Sequence, residues 1–165
     1  MPITAERLRE LLNYDPETGI FTWRVSSRNY KVGAIAGSQR KNGRWLICVE
    51  HEKRMRSVWA YFWMTGELPT QSIDHINRDP SDDRWANLRH CSRFENLHNM
   101  GLRKDNTSGY IGVHKRHNGR YLAYTRTDEG RRIYLGHHST AEEAARVRDA
   151  EAIKLYGEFA VLNFP

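Results

Sequence analysis

The sequence predicts an α+β protein of two modules. An N-terminal β-rich segment leads into a strand–loop–strand–helix motif, and a small three-stranded antiparallel sheet packed on one helix follows. Three observations carry this prediction. Short runs of β-prone residues bounded by Gly, Asn-Gly and Asp-Pro recur through residues 20–49 and 110–136. Two capping boxes, Ser92 with Glu95 and Thr140 with Glu143, each open a helix soon after a strand candidate. A polar connector over residues 101–108 separates two stretches of different pattern, residues 1–100 and 109–165. A chain of 165 residues has room for two such modules.

Taken in order, Thr4 is placed to cap a short helix whose Leu8, Leu11 and Leu12 share a face. Asp15-Pro16-Glu17-Thr18-Gly19 reads as a turn, and Ile20 to Arg24 as a strand. Asn42-Gly43 is a hairpin signal, with Trp45 to Val49 as the strand after it. Arg24, Arg28, Lys31, Arg40, Lys41 and Arg44 make this segment basic, either as a solvated face or as a DNA-backbone contact. Ser57 to Thr65 is an aromatic-rich helix ended by Gly66 and Pro69, and aromatic residues at that density are expected in a core.

The stretch from Ile73 to Asn99 carries the chemistry. Ile73-Asp74-His75 ends a short strand, Asp79-Pro80-Ser81-Asp82-Asp83 is a turn, Asn87-Leu88-Arg89-His90-Cys91 is a second strand, and Ser92 caps a helix that holds Asn96. This layout resembles the HNH endonuclease family, the ββα-metal fold, in its His-Asn-Asn variant. The lead-in Tyr14-Asp15-Pro16-x-Thr18-Gly19-x-Phe21-x-Trp23 is similar to that of phage HNH proteins. The resemblance implies that Asp74 and Asn96 are metal ligands, His75 the general base and Asn87 its orienter. The residue types suit these parts. A carboxylate and an amide oxygen are hard donors for one Mg²⁺ or Mn²⁺, and a neutral imidazole accepts a proton near neutral pH. A hydrogen-bond partner fixes the plane of such a ring. His90, His98 and Asn99 stand near enough to be rival ligands.

Beyond the connector, Tyr110 to His114, Arg120 to Arg126 and Arg132 to Gly136 are strand candidates with hairpin-like separators. The Thr140 capping box opens a helix to about Tyr156, stopped by Gly157. Ala141, Ala144, Ala145, Ala152, Leu155 and Tyr156 fall on one face of it. Gly112-Val113, Tyr134-Leu135-Gly136, Thr140 to Ala145 and the terminal Leu162-Asn163-Phe164-Pro165 resemble the AP2/ERF DNA-binding domain. That resemblance implies a sheet lying in the major groove of double-stranded DNA, read by Arg116, Arg120, Arg126, Arg132 and Tyr134. His114, Asn118 and Tyr124 stand where plant regulators carry Arg, Trp and Glu, so their base specificity does not transfer.

A net charge of +6 and a pI near 9.5 favour a polyanionic partner. Cys48 and Cys91 form no C-x-x-C pair, which leaves a structural zinc site unsupported. No apolar run approaches about 18 residues and no signal-peptide pattern opens the chain, so a cytoplasmic product without a membrane partner is expected. The expectation is a monomeric, site-preferring DNA endonuclease of homing type using one divalent ion. The alternative is a non-catalytic DNA-binding regulator on an HNH scaffold.

Overall fold

The structure, a computed structural model, describes residues 2–92, 95, 101–102, 105–127 and 129–165. It divides into two compact units, Met1–Cys91 and Ser92–Pro165. No helix among the described residues is long and apolar enough to cross a membrane.

The first unit begins with α1 (Ala5–Leu11), whose N-cap Thr4 accepts a side-chain hydrogen bond from the Arg7 amide. Leu8 and Leu11 are buried on one face as the spacing predicts. Leu12 already belongs to the next element, β1 (Leu12–Asp15), which pairs antiparallel with β2 (Ile20–Trp23). The Asp15–Gly19 turn joins them: Asp15 accepts from the Glu17 amide and the Thr18 hydroxyl. The Asn42-Gly43 signal is met by β3 (Ser38–Gln39) pairing with β4 (Trp45–Val49). A further strand, β5 (Glu52–Met55), continues that sheet. α2 (Arg56–Thr65) follows and buries Trp59, Ala60 and Phe62.

Apolar residues of the first unit, among them Leu8, Phe21, Ile47, Trp59, Ile73 and Leu88, form one core. The aromatic helix is therefore core, as expected, and it supports the motif that follows. Tyr61 stacks on His90 at 4.2 Å and meets Trp85 at 6.0 Å. β6 (Ser72–His75) and β7 (Leu88–Cys91) make a two-stranded antiparallel ribbon, with Asp74 opposite Arg89 and His75 opposite Leu88. Asn87 ends a 3-10 turn, Trp85–Asn87, rather than opening the strand.

In the second unit β8 (Val113–Lys115), β9 (Tyr121–Arg126) and β10 (Arg132–His138) form an antiparallel sheet with β9 central. The first strand is shorter than its sequence suggests. Gly112 has φ +71, and a Cβ there would lie 2.5 Å from the Tyr124 carbonyl oxygen, so the run Tyr110–Gly112 turns before β8 starts. α3 (Ala141–Tyr156) opens on the complete Thr140–Glu143 capping box and lies on the sheet through Ala144 and Ala145. Leu155 departs from the expected buried face and is exposed; Arg148 and Asp149 are buried instead. Asp149 accepts hydrogen bonds from the Asn163 amide and side chain and from the Phe164 amide, which docks the chain end on α3.

Candidate functional site

In the first unit His75 sits at the end of β6, where Ile73, Asp74 and His75 are all buried. The ribbon continues one step further, since the Ile76 amide donates to the Asn87 carbonyl. The chain then turns through residues 76–84. The Asp79 amide donates to Asn77 Oδ1, and the Ser81 amide and hydroxyl both donate to Asp79 Oδ1. Arg84 holds Asp82 through Nε and Nη2 at 2.8 and 2.6 Å. That guanidinium, with the Arg84 amide and Asn77 adding to it, lowers the Asp82 carboxyl to about 2.

The loop brings Asp83 back onto the imidazole. His75 Nε2 lies 2.8 Å from Asp83 Oδ1, and Asp83 Oδ2 accepts from Arg56 Nε at 2.6 Å. His75, Asp83 and Arg56 are 5%, 1% and 4% exposed, so the three form a buried polar group. Tyr14 adds a hydrogen bond from its hydroxyl to the Asp83 carbonyl at 2.7 Å. Burial pushes the Tyr14 phenol up, and the Asp83 charge pushes it further.

The expected site residues fall into three groups. Asp74 and His75 are adjacent and buried, and Asp74 Oδ2 accepts from Arg89 Nε and Nη2 at 3.1 and 3.0 Å. Asn87 is close by, but its side chain serves the loop: Oδ1 accepts from the Asn77 amide, and Nδ2 donates to Asn77 Oδ1 and the Asp82 carbonyl. The expectation that Asn87 orients the imidazole directly is thus corrected. Asn87 shapes the loop, and the loop presents Asp83 to the ring. Asn96, His98 and Asn99 lie outside the described residues; before them Ser92 and Glu95 make both hydrogen bonds of the expected capping box.

Sequence reasoning missed Asp83, Arg56 and Tyr14. One signal was available for Arg56. A cation at the first position of a helix opposes the helix dipole, so Arg56 at the head of α2 calls for an acidic partner. Arg24 is committed to its own unit, donating from Nη1 to the Arg9 carbonyl at 2.7 Å. Arg44 belongs to a turn that abuts the loop: a Cβ at Gly43 would lie 3.1 Å from Pro80 Cγ.

No group of three or more His, Cys, Asp or Glu able to hold a metal ion is found among the described residues. A site of one carboxylate, one amide oxygen and water needs no such group. The buried Asp74 carboxylate fits a hard divalent ion in its donor chemistry, although the Arg89 guanidinium shares it.

In the second unit the strand register sorts the side chains. Val113 and Ala123 face α3, and Thr125 meets the Tyr156 hydroxyl. Alternation puts Tyr124, Arg126, Arg132, Tyr134 and His114 on the other face, where Arg126 is opposite Arg132 and Tyr124 opposite Tyr134. Tyr134 is 63% exposed. Arg132 lies over the Tyr124 ring at 5.1 Å, Arg126 Nη1 donates to the Gly130 carbonyl, and Arg120 Nη2 donates to the His137 carbonyl. Arg116 is exposed beside the β8–β9 turn. The result is an open, basic surface with aromatic rings between the guanidiniums, suited to a phosphate backbone.

Residues 54–98, which include Arg56, Asp74, His75, Asp83 and Asn87, match the family model described as HNH endonuclease. In its C-terminal region the chain is similar to plant transcription factors. It is 51% identical over 59 residues to an ethylene-responsive transcription factor of Arabidopsis thaliana, covering 35% of this chain and 23% of that protein. Identity is 39% over 71 residues with one from Medicago truncatula, covering 42% and 30%. It is 30% over 107 residues with a dehydration-responsive element-binding protein of Oryza sativa subsp. indica, covering 64% and 48%. The chain spans less than half the length of each of these relatives. The buried Asp74–His75 pair thus lies inside a stretch that matches the HNH endonuclease model, and the basic sheet lies in a C-terminal region similar to AP2/ERF-type transcription factors.

Proposed function

We propose that this chain is a site-preferring DNA endonuclease that hydrolyses phosphodiester bonds with one divalent ion, Mg²⁺ or Mn²⁺. The observation that carries the reading is the buried imidazole of His75, held by Asp83 and next in sequence to the buried Asp74, within the residues that match the HNH family. Asp74 and Asn96 would hold the ion, which when bound neutralises phosphate charge and stabilises a departing alkoxide. His75 takes a proton from the attacking water. The water oxygen bonds to phosphorus, the P–O3′ bond breaks with its electron pair on the 3′ oxygen, and solvent protonates that oxygen. The products carry a 5′-phosphate and a 3′-hydroxyl. Phosphate chemistry is blind to base sequence, so selectivity would come from the second unit, with Arg116, Arg120, Arg126, Arg132 and Tyr134 on double-stranded DNA. The catalytic module would end before a joint at residues 101–108.

A second reading, a non-catalytic DNA-binding regulator, is favoured by one observation: Asp74 is engaged by Arg89. Plasmid cleavage by the full chain separates the two. The endonuclease reading expects nicking or linearisation with Mg²⁺ or Mn²⁺ that EDTA stops. Tight DNA binding without cleavage under any divalent ion would leave the regulator reading.

A further inference from the structure

Arg56 and Asp83 were expected in no functional role, yet Asp83 is more deeply buried than the base it touches. Its position is set from several directions. The Tyr14 hydroxyl holds its carbonyl. The Asp15–Gly19 turn packs on its backbone so closely that a Cβ at Gly19, where φ is +70, would lie 2.4 Å from the Asp83 carbonyl carbon. Trp85, two residues on, donates its amide to the Pro16 carbonyl at 3.0 Å. Arg56 holds Oδ2 and also donates from Nη2 to the Ser81 carbonyl at 2.7 Å, while its guanidinium lies over the Trp45 ring at 4.8 Å. A buried ion pair is a poor source of stability, because desolvation offsets the attraction. A carboxylate fixed this closely on an imidazole nitrogen has another physical consequence, which is to decide where the ring carries its proton.

We infer that Asp83, aimed by Arg56, is a positioning residue that fixes the tautomer of His75. A salt-bridged carboxylate only accepts hydrogen bonds. Nε2 therefore carries the hydrogen and donates to Oδ1, and the neutral ring keeps its basic lone pair on Nδ1. The water's proton arrives at Nδ1, and the imidazolium so formed is stabilised by the carboxylate at Nε2. This rests on the reading of His75 as the base.

Asp83→Asn tests the inference through the chemistry of the amide. Arg56 offers donors only, so the amide oxygen must face Arg56 and its NH₂ must face His75. Nε2 then becomes the acceptor, the ring hydrogen moves to Nδ1, and the basic lone pair is lost. The expected result is a fall in kcat of roughly 10²–10⁴-fold with KM and DNA affinity unchanged. ¹⁵N NMR of the ring, at a pH where it is neutral, should show the wild-type Nε2–H form replaced by Nδ1–H. The double variant Arg56→Met/Asp83→Asn lets the amide turn its oxygen to Nε2, and turnover should return together with the Nε2–H signal. A purely structural role for Asp83 would move neither the tautomer nor the rescue. Wild-type protein with the Nδ1–H form overturns the assignment, whether or not any variant folds. So does Asp83→Asn cutting at the wild-type rate while His75→Ala is inactive. If His75→Ala itself cuts normally, the base reading fails instead.

Discussion

The two units place their charges in opposite ways. In the first, Arg56, Asp74, His75 and Asp83 are buried and engaged with one another or with Arg89. In the second, Arg116, Arg120, Arg126 and Arg132 stand in the open around Tyr134. A buried polar group holds its geometry only when every member is present, because removing one leaves its partner desolvated and uncompensated. Exposed guanidiniums act nearly independently and are screened by salt. Proton transfer needs the first arrangement and backbone binding tolerates the second. Burial alone does not mark chemistry, however. Arg148 and Asp149 are as buried as the His75 group, yet their bonds go to Val161, Asn163 and Phe164, and they dock the chain end.

The largest effect expected from this contrast is on stability. Asp83→Leu leaves the Arg56 charge buried and unpaired, for a loss of about 3–5 kcal/mol in urea unfolding. Arg126→Leu on the open sheet should stay within about 0.5 kcal/mol. Equal losses at the two positions would erase the distinction. Next comes Gly112→Ala. It forces a side chain into left-handed backbone against the Tyr124 carbonyl, and about 1–3 kcal/mol of destabilisation should follow, read from unfolding of the second unit. A neutral outcome would mean that the turn before β8 is free to rearrange.

The smallest effect is on pH. Asp82 is lowered from 3.8 to about 2 by the Arg84 guanidinium. A carboxyl held below its unfolded value contributes stability that is complete above about pH 4 and lost as pH falls through about 2. Protection of the 77–84 loop amides, relative to their intrinsic exchange rates, should therefore fall between those values, and Arg84→Gln should shrink that pH-dependent loss. An equal loss in Arg84→Gln would assign the order of the loop to other contacts.

Much of the fold was legible because it is written in local signals. Thr4, Asn42-Gly43 and Thr140 with Glu143 each act on residues within a few positions, and each feature they predict is present. The Glu50–His51 turn into β5 carried no such signal, since both residues adopt left-handed backbone without a glycine. Asp74 and His75 were legible as an adjacent pair. Asp83 was not, because its meaning depends on Arg56, Tyr14 and Gly19, which approach it from distant parts of the chain. The contact of Asn87 was not legible either: an amide next to a strand that faces His75 can reach the ring or the loop, and here it reaches the loop.

The central claim is that chemistry centres on His75 and recognition on the β8–β10 sheet. One measurement tests it: single-turnover cleavage and a binding salt series on the same duplex, for His75→Ala and for Arg126→Gln/Arg132→Gln. The account predicts that His75→Ala loses roughly 10²–10⁴-fold in cleavage rate with its salt slope intact. The arginine variant should keep its cleavage rate at saturation while its slope flattens by about 0.9 for each phosphate contact removed. A His75→Ala protein that cuts at the wild-type rate, or an arginine variant with unchanged slope and a collapsed saturating rate, would contradict it.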